Sequence, residues 1–206
     1  MGEVISEESL ARVVRERQRH GEQAVFTNGC FDLLHLGHVR YLQRARELGD
    51  FLIVAINSDE STRQLKGPER PLVPEKERAE VLAALANVDY VTIFADNTAG
   101  RLLERLRPSL YVKGGDYAGC DYAEDLLLTG ESLKRLLAGD ASEYPQLAHI
   151  GASLPELPVV AQYGGRLALL AYLPEHSTTV LIDRIVSRYA DSLAETQKAE
   201  QRGTPD

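Results

Sequence analysis

The stretch AVFTNGCFDLLHLGHVRYLQRARELGDFLIVAIN, residues 24–57, changes its hydrophobic period twice. It opens with AVFTNG, a short apolar run ending in turn-forming residues, as a buried strand does where it leaves a sheet. From Gly37 the period is helical: Tyr41, Leu42, Ala45 and Leu48 share one face, and Gly49 supplies a stop. FLIVAIN is then apolar throughout, the pattern of a strand covered on both faces. Strand, helix and strand in so short a span make a βαβ unit.

The alternation continues outward. Upstream, Leu10, Val13 and Val14 stand at helical spacing behind Ser6, a candidate N-cap, so residues 6–20 read as a surface helix. Downstream come a helix over 75–86, a strand YVTIF, a helix over 99–106 and a strand LYVKG. The expected fold class is α/β, a Rossmann-like doubly wound parallel sheet with helices on both faces. Ligands of such sheets bind beyond the C-terminal ends of the strands, where TNGCFD and VKGGDY both fall.

Residues 118–157 break this rhythm and read as a largely helical and loop insertion. A helix is expected over 124–138, and the Gly-, Pro-, Ser- and Ala-rich 139–157 reads as a loop or loosely packed excursion. PVVAQY and RLALLAYL are expected to resume the sheet. A helix over 177–189, capped by Ser177 or Thr178, follows. The expected organisation is a single domain over 1–194, with a disordered polar tail at 195–206.

Composition narrows the function classes. The chain has 206 residues, 44% hydrophobic and 26% charged, as a soluble globular protein has. A net charge of −8 argues against general nucleic-acid binding. No run is long enough to span a bilayer and the acidic start lacks the features of a signal peptide, so a cytoplasmic location without membrane association is expected. The two cysteines, Cys30 and Cys120, are too few for a disulfide framework and are expected to be free thiols.

Of the five histidines, His35 and His38 sit together at the predicted start of the second helix. Free N–H groups and the positive end of the helix dipole make that start a site for phosphate, and Gly37 lets a ligand approach the backbone. Each imidazole can donate a hydrogen bond to a phosphate oxygen. Helix caps or solvated polar residues are the plain alternative. Zinc is a weaker rival, because the helix-borne zinc signature needs histidines at i and i+4 with a glutamate, and here the spacing is i and i+3.

FTNGCFDLLHLGHVRYLQRAR resembles the signature of the cytidylyltransferase-like nucleotidyltransferases, with His35, Leu36, Gly37 and His38 as its H-x-G-H motif. The chain is more narrowly similar to the adenylyltransferase domains of ADP-heptose synthases through NSDESTRQLKGPERPLVPEKERAEVLAAL, VDYVTIF, YVKGGDY and STTVLIDRI. These stretches cover about residues 22–117 and 158–189. The resemblance implies transfer of AMP from ATP to a sugar 1-phosphate, expected to be D-glycero-β-D-manno-heptose 1-phosphate, with release of pyrophosphate. A phosphate monoester is already largely dianionic near neutral pH, so the chemistry needs positioning and charge stabilisation more than a strong base.

The resemblance also distributes roles. His35, His38 and Lys113 are the candidate catalytic residues. Asn28, Gly29, Phe31, Gly37, His38, Ser177, Thr178 and Thr179 are candidates for nucleotide binding, and Asp32, Arg63, Lys66, Lys113, Gly115 and Asp116 for the acceptor. Taken alone, Ser-Thr-Thr at a helix start is a good cap, Lys113 a solvated lysine before a Gly-Gly turn, and Asp32 a turn aspartate. Mg²⁺ is expected as a cofactor held mainly by the substrate phosphates, with Asp32 near its hydration shell and no protein-borne metal centre. The expected partners are the small-molecule substrates, a separate sugar kinase that makes the acceptor, and a second copy of the chain in a homodimer.

Two features depart from the family pattern: the insertion, which begins beside the presumed sugar site, and Glu175 and His176 before STT, where a glycine is expected. The alternatives are a cytidylyltransferase acting on glycerol 3-phosphate or another small phosphorylated alcohol, and a non-catalytic nucleotide-binding scaffold.

Overall fold

The structure is a computed structural model that describes residues 1–115, 124–171 and 177–202, with side chains described as far as residue 190. Its strands are β1 (Glu3–Val4), β2 (Ala24–Gly29), β3 (Phe51–Asn57), β4 (Tyr90–Phe94), β5 (Leu110–Gly114), β6 (Leu126–Leu128) and β7 (Arg166–Leu170). They form one sheet in the order β1-β4-β3-β2-β5-β7-β6. Every pairing is parallel except that of β6 with β7.

The helices are α1 (Glu7–Arg19), α2 (Leu36–Glu47), α3 (Asp59–Lys66), α4 (Glu75–Ala83), α5 (Gly100–Leu106), α6 (Gly130–Leu137), α7 (Ile150–Ser153), α8 (Leu157–Gln162) and α9 (Thr178–Arg202). Alternate residues of the central strands feed two separate cores, as the period of a strand requires. Phe26, Phe51, Ile53 and Leu167 pack on one face with α1, α5, α6 and α8. Val25, Leu52, Val54 and Val112 pack on the other with α2 and α4. A doubly wound α/β sheet is therefore the fold, and β2 through β5 fall where the periodicity puts them. The predicted cap is also present: the Ser6 hydroxyl accepts from the Ser9 N–H at 3.3 Å.

The second half differs from expectation. PVVAQY is not a strand but most of α8, which starts beside Pro158 and buries Leu157, Val160 and Ala161. Proline suits a helix's first turn, where its missing N–H costs nothing. The predicted helix over 124–138 is split: β6 takes Leu126–Leu128, and Thr129 then caps α6 by accepting from the Ser132 N–H at 3.1 Å.

Nor is 139–157 loosely packed. Leu147, Ile150, Leu154 and Leu157 are buried in the first core, and buried Glu156 accepts from the Ala99 N–H at 3.1 Å, capping α5. The stretch TRQLKGPERP, residues 62–71, reads from its Gly and Pro as a loop, yet it begins as helix, since Ser58 caps α3 and Gly67, at φ 98°, ends it. The edge strand β1 was not legible in the sequence, and α9 runs well beyond residue 189. Among the described residues no helix is long and apolar enough to cross a membrane.

Candidate active site

β2 pairs with β3 on one side and β5 on the other, so the chain leaves β2 at a point where the winding reverses. That is where an open α/β sheet offers a crevice. Three side chains fix its floor. The Tyr111 hydroxyl donates to Asn28 Oδ1 at 2.8 Å, and the Lys113 ammonium, buried in β5, donates to the Asn28 carbonyl at 3.1 Å. From α2, the Tyr41 hydroxyl donates to the Val112 carbonyl at 3.0 Å and lies 2.7 Å from the Thr27 hydroxyl. The histidine helix is thereby pinned across both central strands.

Between β2 and α2 the backbone turns through Phe31, whose φ of 47° is a left-handed conformation uncommon for so bulky a residue. A β-carbon at Gly29 would lie 3.1 Å from the Phe31 ring, so the glycine makes room for that turn. The ring is buried and 5.3 Å from that of His38.

His35 is the extended N-cap of α2 and makes no capping bond with its side chain, which leaves the ring for other contacts. His38, one turn on, lies on the same face. The two imidazoles stack with centroids 3.9 Å apart and planes 25° from parallel. Burial, and then the charge of neighbouring His35, push the His38 ring down from the ordinary imidazole value to about 4. His38 Nδ1 is buried without a hydrogen-bond partner among the described residues. A neutral imidazole has one donor and one acceptor nitrogen, and a buried one without a partner carries a desolvation cost that a ligand would remove.

That depression has a testable sign. Between about 4 and the ordinary imidazole value the unfolded chain binds a proton at residue 38 that the folded chain does not. The contribution of His38 to stability is therefore full above that window, declines as pH falls through it and is constant below about pH 4. An NMR titration of the His38 ring should give a midpoint near 4 in the free protein, moved upward by bound nucleotide because an anion favours the charged ring. A midpoint near the ordinary value in the free protein would contradict the packing described here.

Asp32 does not present an open carboxylate. Its oxygens accept from the Leu72 N–H at 2.8 and 3.0 Å, the Val73 N–H at 2.9 Å and Arg70 Nε at 2.6 Å. Its observed contacts are those of the turn aspartate alternative: it clamps the strap of residues 67–74, which joins α3 to α4. Arg78, buried in α4, completes the arrangement. Its guanidinium donates to the Val73 carbonyl at 2.9 Å, the Asn57 carbonyl at 3.0 Å, the Asp59 carboxylate at 2.7 Å and the Cys30 carbonyl. Loop, strap, strand end and helix start thus meet on one side chain.

The second expected phosphate motif reaches the same loop. Thr178 Oγ1 donates to the Leu33 carbonyl at 3.4 Å, and Ser177 Oγ accepts from the Val180 N–H at 3.1 Å as an ordinary cap. Thr179 is exposed on the first turn of α9. Arg44 of α2 donates to the Ala171 carbonyl at 3.2 Å and pairs with Asp125, whose carboxylate also takes the Ala171 N–H at 2.8 Å. The end of β7 is held to the histidine helix in this way.

Gly37 sits in the first turn of α2, and Gly115 is buried just past β5. Arg63 and Lys66 lie exposed on α3, with Arg63 paired to Glu60 at 3.3 Å. Asp116, Cys120, Glu175 and His176 lie outside the described residues, and Cys30 is a free thiol. Among the described residues no group of three or more His, Cys, Asp or Glu could hold a metal ion. Sequence reasoning missed Arg78, and it placed Arg70 in a basic stretch that could close over the phosphates while preferring Arg63 and Lys66 as ligands. The signal for the first was a charge on the buried face of α4 beside Ala79, Leu82 and Ala83.

Known proteins resemble this chain over much of its length. Residues 26–136 match the family described as Cytidylyltransferase-like. The chain is 45% identical over 182 residues to the bifunctional protein HldE of Syntrophotalea carbinolica, covering 88% of this chain and 31% of that protein. It is 42% identical over 184 residues to the bifunctional protein HldE of Geobacter metallireducens, covering 89% and 31%. The chain thus spans about a third of the length of these curated relatives. Among solved structures, the lipopolysaccharide core biosynthesis protein from Thermoplasma volcanium GSS1 aligns at 31% identity and a TM-score of 0.43, over 47% of this chain and 77% of that one. With a family match over more than half of its length and the H-x-G-H turn at the switch point of its sheet, the chain belongs to the cytidylyltransferase-like family of nucleotidyltransferases.

Proposed function

We propose that this nucleotidyltransferase moves AMP from ATP to a sugar 1-phosphate, D-glycero-β-D-manno-heptose 1-phosphate being the foremost candidate. An acceptor phosphate oxygen attacks the α-phosphorus, a new P–O bond forms, and the bond to the β-phosphate breaks to release pyrophosphate. The observation that carries the reading is the stacked His35–His38 pair at the start of α2, with His38 Nδ1 buried and unpartnered among the described residues. Such a pair, with the free N–H groups of the helix start, suits an anion whose charge grows as the leaving group departs. The choice of ATP and a heptose phosphate rests on the resemblance to ADP-heptose synthases and on the relatives named HldE.

Mg²⁺ is proposed to arrive with the triphosphate, where it would neutralise phosphate charge. The contacts already made by both Asp32 oxygens favour that over a metal held by this carboxylate. Residues 1–194 are read as one domain, working in the cytoplasm on an acceptor made by a sugar kinase activity. A homodimer is carried over from the family resemblance alone.

The deciding experiment is pyrophosphate release from ATP and CTP against a panel of sugar 1-phosphates and glycerol 3-phosphate. Preference for ATP with the heptose phosphate is expected. Preference for CTP with glycerol 3-phosphate would replace this reading by the cytidylyltransferase one, and nucleotide binding without release across the panel would favour a scaffold.

A further inference from the structure

From sequence Arg70 belongs, with Arg63 and Lys66, to a basic stretch that could close over the phosphates, and in the structure it is held directly against Asp32 in the segment that leads to the histidines. Its Nε donates to Asp32 at 2.6 Å, and Asp32 lies three residues before His35. The Asp32 carboxylate is buried and shared with two backbone N–H groups of the strap, so it fixes the guanidinium and the strap together. Arg78 binds both the Val73 carbonyl of the strap and the Cys30 carbonyl of the loop, which makes them a single body. Only Nε of Arg70 is engaged: among the described residues its two terminal nitrogens make no hydrogen bond or ion pair, and the side chain retains 22% of its exposure. Arg63 and Lys66, by contrast, extend from the exposed face of α3.

We propose that Arg70 is a substrate-binding residue, its terminal N–H fork meeting a phosphate group of the substrates while Nε stays on Asp32. The proposal rests on the reading of the histidine turn as the phosphate site. A guanidinium suits this double duty because its donors lie in one plane and on separate edges, so a carboxylate can hold one edge while the other receives two phosphate oxygens. Asp32 is then a positioning residue. The phosphate could belong to the nucleotide tail or to the acceptor, and the chemistry of recognition is the same.

Calorimetric titrations with inorganic pyrophosphate and with inorganic phosphate separate the two sources without requiring turnover. Arg70→Met is expected to weaken binding of one probe by at least about tenfold, and also to lower the thermal midpoint, because the buried Asp32 carboxylate loses its charged partner and keeps only backbone donors, so the titrations are run below the midpoint of the variant. Loss with pyrophosphate assigns the contact to the nucleotide, and loss with phosphate assigns it to the acceptor. Arg70→Lys keeps a charge for Asp32 but not the planar fork, so it should bind at an intermediate affinity. A counter-ion of purely structural role would leave Arg70→Lys at wild-type affinity.

Unchanged affinity for both probes in Arg70→Met overturns the proposal, as does a wild-type protein that binds neither at millimolar concentration. Should Arg70→Met fail to fold, wild-type affinity for both probes in Arg70→Lys overturns it in the same way. A wild-type protein that binds the probes but releases no pyrophosphate on the sugar-phosphate panel refutes the proposed reaction and leaves Arg70 as a phosphate ligand.

Discussion

Replacing His38 by alanine is expected to lower turnover at least about a hundredfold in a protein that still folds, as the loss of one preorganised donor to developing negative charge typically does. Burial of the His38 ring carries a desolvation cost that a bound phosphate would offset. His38 loses solvent, shares its face with a second imidazole, and keeps one buried nitrogen without a partner among the described residues. Alanine removes the unpartnered nitrogen together with ring contacts worth roughly 0.5–1.5 kcal/mol, so the net change in stability should be small. If the ring acts mainly as charge builds on the departing pyrophosphate, kcat falls while KM for ATP changes little. Wild-type turnover in the alanine variant would remove His38 from the chemistry. Loss of activity accompanied by unfolding, read by circular dichroism, would make its role structural.

The first half of the fold was legible because each element there is decided by local period and local chemistry. FLIVAIN has no polar face, so only a doubly covered strand suits it. Residues 37–48 repeat their apolar positions at helical spacing. The second half depends on what each segment packs against. Leu147, Ile150, Leu154 and Leu157 do keep a helical spacing, but Gly, Pro and Ser between them mimic a loop, and only a groove beside α5 and β7 makes burial worthwhile. PVVAQY carries apolar residues that suit a buried strand as well as a short helix, its leading proline is compatible with either, and the burial of Leu157, Val160 and Ala161 in the first core decides between them.

The same distinction runs through the site. The histidine turn could be placed from sequence because its spacing is local. The Asp32 clamp joins residues 38 to 41 positions apart, so no spacing rule announces it. Local motifs name the groups that meet a ligand, while long-range polar bonds, silent in the sequence, hold those groups in place.

Arg78 is where that second kind of information carries the largest stability effect. Substitution by methionine, similar in reach and able to fill the space, is expected to cost about 3–5 kcal/mol, the usual penalty for removing one partner of a buried charged pair. The size follows from what is left behind. The carbonyls of Cys30, Asn57 and Val73 are backbone groups that no compensating rotamer can withdraw, and each loses its guanidinium donor. Asp59 loses its ion pair as well, but its side chain is 28% exposed and recovers part of the loss from water. Asp59→Asn should therefore cost only about 1 kcal/mol, since an amide oxygen can still accept. Arg78→Lys should recover less than half of the methionine loss, because one ammonium cannot reach acceptors on four separate segments. Urea unfolding measures all three. The midpoint should fall in the order Asp59→Asn, Arg78→Lys, Arg78→Met, with the slope unchanged if the variants unfold from the same native state. A methionine variant within about 1 kcal/mol of wild type would mean that these segments hold their positions through the apolar packing of α4 alone. The loop carrying Phe31 and the histidines would then owe its geometry to β2 and α2 rather than to this guanidinium.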